Sequence, residues 1–159
     1  MTQQMSEEIL IRNAEFCDME QLLKLGVEFH KYAELSKFGL GFNRKNFSGV
    51  LVHFMSNENC CLLVAEMDEK IVGSIAGMVA PWFLDPGQLN ASEHWWFVSP
   101  EYRGTVGLEL MVNLEIWAKA KGAKCLAMAG FAEKRLPGLT RLYRQKGYRP
   151  LEMHFVKEL

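Results

Sequence analysis

The stretch Phe97-Val98-Ser99-Pro100-Glu101-Tyr102-Arg103-Gly104-Thr105-Val106-Gly107-Leu108 decides how this chain folds. Just before it, His94-Trp95-Trp96-Phe97-Val98 has the length and aromatic, β-branched character of a strand. Pro100 ends that strand, and Arg103-Gly104-x-x-Gly107 forms a turn. Apolar residues then recur at helical spacing at Leu108, Met111, Leu114, Trp117 and Ala118, until Gly122 stops the helix. A strand passing through a glycine turn into a helix leaves backbone N–H groups unpaired at the positive end of the helix dipole. With an arginine beside them, such a corner suits a pyrophosphate.

Working outward, the chain alternates strands and helices without repeats or low-complexity tracts. Glu8 to Arg12 reads as a first strand. Asp18 reads as a helix cap with Gln21 as its capping-box partner, ahead of a stripe at Leu22, Leu25, Phe29 and Tyr32. Asn43 caps a second helix with Phe47, Val50, Leu51 and Phe54 on one side. Cys60–Glu66 and Ile71–Val79 form a hairpin around a polar turn, and Pro81–Gly87 reads as a loop. Lys124–Gly130 is a further strand. Pro137 opens a last helix that ends at Gly147, and Glu152–Val156 is expected to close the sheet. The expected fold is a single α/β domain over residues 1–159, with residues 1–7 loosely ordered.

Composition narrows the function. With 159 residues, 49% hydrophobic and 23% charged, the chain can bury one core. A net charge of −1 argues against a general nucleic-acid binder, although basic residues crowd positions 134–149. Cys17, Cys60, Cys61 and Cys125 lack metal spacing and read as reduced thiols of a cytoplasmic protein. The start is polar and acidic, unlike a signal peptide, and the apolar stretch 71–84 is too short and too interrupted to cross a bilayer. No P-loop, dinucleotide fingerprint or zinc pattern occurs.

Four segments, in order, resemble the GNAT superfamily of acetyl-CoA-dependent N-acyltransferases: Ile11-Arg12-Asn13-Ala14 with Asp18, Val64-Ala65-Glu66 through Ile71-Val72-Gly73, Trp96 through Gly104, and Leu142-Tyr143-Arg144-Gln145-Lys146-Gly147-Tyr148. The look is nearest to small bacterial and phage members. The resemblance implies a mixed, mostly antiparallel sheet flanked by helices and splayed into a cofactor cleft. It also implies acetyl transfer from acetyl-CoA to a primary amine by direct attack. Cofactor contacts are then expected from Phe97, Val98, Arg103, Gly104, Thr105, Val106, Gly107 and Leu108, with a backbone N–H near Phe97 or Val98 polarising the thioester. Two departures stand out. In the ungapped register Val106 and Leu108 occupy positions the family keeps small, whereas a loop one residue shorter puts Thr105 and Gly107 there. Leu136 replaces an asparagine that many members carry ahead of the tyrosine.

By the same resemblance, Tyr143 matches the general acid and Glu93 the carboxylate that deprotonates the amine. His94, expected on the opposite side of the strand, competes with Glu93 for that role. Arg103 suits a phosphate. His30 and Glu34, one helical turn apart, are candidates to line the acceptor site. Trp82 and Phe83 are too apolar for an idle loop and wall that site or bury a homodimer contact. Two other functions stay open: a degenerate binding protein of the same fold, and an acyltransferase acting on a nucleic-acid base amine. No membrane partner is expected.

Overall fold

The computed structural model of the protein describes residues 8–159; the first seven lie outside the described residues. Nine elements follow in order: β1 (Leu10–Asn13), α1 (Met19–Ala33), α2 (Arg44–Ser56), β2 (Cys60–Met67), β3 (Lys70–Trp82), β4 (Asp85–Val98), α3 (Thr105–Ala120), β5 (Ala123–Ala127) and α4 (Leu136–Gln145). The five strands lie side by side in sequence order, all antiparallel except the parallel pair β4–β5.

Both faces of the sheet are covered, which is why β2 reads as a continuous apolar run instead of alternating with polar residues. Cys60, Leu62 and Val64 pack with Leu22, Leu25, Leu51 and Phe54 under α1 and α2. Their neighbours Cys61, Leu63 and Ala65 pack with Val106, Leu110 and Leu114 of α3. Leu110, Met111 and Leu114 are wholly buried, each contributing roughly 1.5–3 kcal/mol of hydrophobic transfer. The β2–β3 turn has positive φ at both Asp68 and Glu69, the mirror-image turn that matches strand twist.

Four expectations from the sequence are corrected. Residues 81–87 are not an open loop: β3 runs to Trp82 and β4 begins at Asp85 across a two-residue turn, Pro81 pairs with Leu89, and the register shifts next to Pro81. The first strand spans Leu10–Asn13 and the fifth Ala123–Ala127, both shorter or later than their patterns suggest. Asp18 stands at the start of α1 but its side chain makes no cap bond there. Its buried carboxylate accepts from the Arg12 guanidinium at 2.7 and 2.9 Å and from the Glu15 N–H at 2.8 Å, because a buried anion is held best by a cation and an amide together. Gln21 instead bridges to the β2–β3 turn through Ile71 N–H and Glu69 carbonyl.

The fourth correction concerns the C-terminus. Residues 152–156 form no strand. Tyr148 donates to Glu115 on α3 at 2.8 Å, and the chain beyond it passes Gly39, against which Glu158 lies. Leu151, Met153 and Phe155 therefore stay exposed. Asn43 caps α2 as expected, accepting from Asn46 N–H at 2.9 Å.

Candidate active site

The site arises from where β4 and β5 part. Their pairing ends at Ser92 and Ala127, so residues 93–98 of β4 have no neighbour on that side. Alternate backbone N–H and C=O groups there face open space instead of a strand. A cavity of about 600 Å³ fills the gap, bounded by Glu93 to Val98, the start of α3, residues 129–131 and the start of α4.

Gly104 sits at the mouth of this cavity with φ +116°, a conformation that favours glycine. A Cβ there would meet no protein atom within 4 Å and would stand in open space. No side chain caps the first turn of α3, so its leading N–H groups point outward unpartnered. Gly104, Gly107 and Leu108 line the cavity. Val106 turns into the core at 3% exposure, and Thr105 lines no described cavity. The residue presented small to the cavity is thus Gly107, where a Cβ would come within 3.4 Å of the Trp96 ring.

Phe97, Val98 and Arg103 also line the cavity. Arg103 is folded back: its Nε donates to the Val98 carbonyl at 3.0 Å and its guanidinium lies 4.4 Å over the Tyr32 ring. In this conformation it fastens the end of β4 to α1. The Ser99 hydroxyl donates to Glu28 of α1 at 2.7 Å and reinforces the same junction.

At the crotch of the splay, Glu93 accepts from Ala129 N–H at 3.1 Å, while Tyr143 of α4 donates to the Ala129 carbonyl at 2.6 Å. The two candidate side chains are thus joined through one residue, Glu93 lining the cavity and Tyr143 lying outside its lining. Burial pushes the Glu93 carboxyl up to about 7, although the Ala129 amide pulls the other way. Burial first, and the Glu93 charge second, hold the Tyr143 phenol well above its ordinary value. The Tyr143 ring packs 6.3 Å from Trp96 and 5.3 Å from Tyr148.

His94 departs from simple strand alternation. Between Ala76–Trp95 and Gly77–Glu93 the β3–β4 register slips by one residue, leaving His94 as the bulged position. Its ring therefore shares a side with that of Trp95, and both pack against Phe54 of α2. Glu93 and His94 accordingly both border the large cavity, and burial lowers the His94 pKa.

The remaining candidates are dispersed. His30 lines a second, smaller cavity between α1, α2 and β4, with its Nε2 held 2.8 Å from the Leu40 carbonyl. Glu34 is engaged by Lys134 at 2.7 Å, an ion pair joining the end of α1 to the segment before α4. Trp82 and Phe83 stack on each other at the tip of the β3–β4 hairpin, away from both cavities. Sequence reasoning missed Ala129, whose role is carried by its backbone and leaves no side-chain signal. Gly130 did leave one: a Cβ there would come within 2.6 Å of Leu139, so glycine lets α4 close on the cavity.

The half-parted sheet thus opens onto a cavity with a glycine turn and an uncapped helix N-terminus at its mouth. The chain matches the profile of the Acetyltransferase (GNAT) family over residues 27–148 and belongs to that family, whose members use acetyl-CoA. No curated protein matches it. Among solved structures, an acetyltransferase of Trypanosoma brucei superposes with TM-score 0.73 at 21% identity, over 96% of this chain and 100% of that one. An aminoglycoside acetyltransferase from an uncultured soil metagenomic sample, in complex with sisomicin, gives 0.71 at 17%, over 95% and 96%. AAC(6')-Iy, in complex with the bisubstrate analogue CoA-S-monomethyl-acetylneamine, gives 0.73 at 13%, over 94% and 97%. Among the described residues no helix is long and apolar enough to cross a membrane.

Proposed function

We propose that this protein transfers an acetyl group from acetyl-CoA to a primary amine by direct attack. The observation that carries this reading is a cavity lined by Glu93 and Ala129 at one end and by an uncapped helix N-terminus at the other, with Tyr143 behind the lining and joined to Glu93 through Ala129. The residues fit the donor: Gly104, Gly107 and the first-turn amides of α3 would hold its pyrophosphate, and the unpaired side of β4 from Glu93 to Val98 would run along its pantetheine arm.

Bound acetyl-CoA supplies a thioester whose carbonyl carbon accepts the amine and whose sulfur leaves as a thiolate. Glu93, directly or through one water, removes the amine proton; a carboxyl raised to about 7 is matched to that task near neutral pH. Tyr143 supplies a proton to the departing sulfur. Its elevated pKa has two consequences of opposite sign: the proton is present at every working pH, but it is held tightly. Transfer therefore has to accompany C–S cleavage, after the hydroxyl leaves the Ala129 carbonyl. No cysteine is required as a nucleophile. Burial raises the Cys61 thiol to about 12, and Cys60 is raised for the same reason.

Calorimetric titration with acetyl-CoA, followed by amine-dependent release of free thiol, tests the reading. Binding with amine-dependent release is expected. Absence of binding at millimolar acetyl-CoA would instead favour a binding protein built on a degenerate form of this fold.

A further inference from the structure

The acceptor side of the site has a chemistry of its own. A cavity of about 210 Å³ lies between α1, α2 and the face of β4, small beside the roughly 300–1,000 Å³ typical of drug-sized ligands. Its walls are rings: Phe29, Phe42, Phe47, Trp95 and Phe97. They brace one another, with Phe42–Phe47 centroids at 5.5 Å and Phe47–Trp95 at 5.8 Å. Gly26 makes that arrangement possible, since a Cβ there would come within 2.5 Å of the Phe47 ring.

No carboxylate and no lysine or arginine lines this cavity. Its polar members are Ser74, His30 and His94. Ser74 Oγ accepts from Trp95 Nε1 at 3.2 Å, and His30 Nε2 is held by the Leu40 carbonyl. The cavity also borders the larger one along Phe29, His94, Trp95 and Phe97. A ring seated in it, carrying a short amine arm, would present that arm across this border into the larger cavity, which Glu93 lines.

Resting on the acetyl-transfer reading above, we propose that the acceptor is a small primary amine on a single aromatic or apolar body, and that polycationic acceptors are excluded. The physical reason is unequal desolvation. An aromatic body gains about 25 cal/mol for each Å² buried. A polyamine sugar would instead bury ammonium groups with no carboxylate to receive them, a cost that discriminates strongly against it.

The test compares phenethylamine with sisomicin as acceptors, in the intact protein and in Gly41→Leu. Gly41 lines the small cavity only, has no positive φ, and a Cβ there meets nothing within 4 Å. The variant should therefore fold, which a thermal melt confirms, and should bind acetyl-CoA unchanged while narrowing the acceptor cavity. Expected results are at least tenfold higher kcat/KM for phenethylamine than for sisomicin, and a tenfold or greater rise in the phenethylamine KM in Gly41→Leu. Preference for sisomicin, or an unchanged KM in the variant, overturns the proposal while leaving acetyl transfer standing. If neither amine is acetylated, calorimetry with phenethylamine alone decides. Binding that Gly41→Leu abolishes supports the aromatic acceptor cavity and no binding overturns it, while acetyl-CoA binding decides the transfer reading separately.

Discussion

Replacing Glu93 with Gln removes a charge while keeping an oxygen to accept the Ala129 N–H. In the folded protein the carboxyl titrates at about 7 instead of 4.5. The folded value is the higher one, so the folded state holds this proton more tightly than the unfolded chain does. Its contribution to stability is complete below pH 4.5 and is lost as pH rises through about 7. At ~1.4 kcal/mol per pH unit that interval corresponds to about 3 kcal/mol, reduced to about 2 kcal/mol by water reaching a carboxyl on an open cavity. Urea unfolding at pH 5 and pH 8.5 measures the loss directly. The wild type should lose roughly 2 kcal/mol more across that range than Glu93→Gln, a difference of about 4–8 °C in Tm for a domain of this size. Turnover gives a second, independent readout. Loss of a general base lowers kcat by ~10²–10⁴-fold, and the rise of kcat/KM with pH that Glu93 contributes near 7 should disappear. Identical pH dependence of stability in the two proteins, or wild-type turnover in the variant, would refute the assignment.

Tyr143→Phe should lower kcat by ~10²-fold or more while leaving the acetyl-CoA dissociation constant within about threefold. Calorimetry and steady-state thiol release separate the two effects, and unchanged turnover would remove Tyr143 from the chemistry. Gly104→Ala forces a residue with a Cβ into φ +116° and should cost about 1–3 kcal/mol. It should also weaken acetyl-CoA, as read by thermal melts with and without ligand. Asp18→Asn strips the Arg12 guanidinium of its buried partner and should cost roughly 2–4 kcal/mol. Because Arg12 lowers the Asp18 pKa, the wild-type advantage should be full above pH 3.8 and shrink as pH falls through the lower folded value; equal acid sensitivity in both proteins would contradict this.

Much of the fold was legible because it rests on local periodicity. The α3 helix itself, the Asn43 cap, the β2–β3 hairpin and the glycine turn at Gly104 each depend on residues near one another in sequence, although α3 buries Val106 and Leu110 and turns Leu108 to the cavity. Where expectation and structure diverge, the partner each segment found or lacked decided. Asp18 forsakes its cap for Arg12. The 81–87 segment folds as a hairpin end, with Trp82 opposite Asp85. Residues 152–156 alternate like a strand but find no strand to join.

The sequence by itself determined that a strand runs through a glycine turn into a helix, and hence that unpaired backbone donors gather at the turn, because donors at a helix N-terminus follow from chain geometry alone. Only the tertiary structure decided what faces that turn. It parted β4 from β5 beyond Ser92, slipped the register so that His94 and Trp95 face the same side, and set Glu93 on the N–H and Tyr143 on the carbonyl of Ala129. Those arrangements depend on how non-local strands pair and where pairing stops. No single stretch of sequence encodes that.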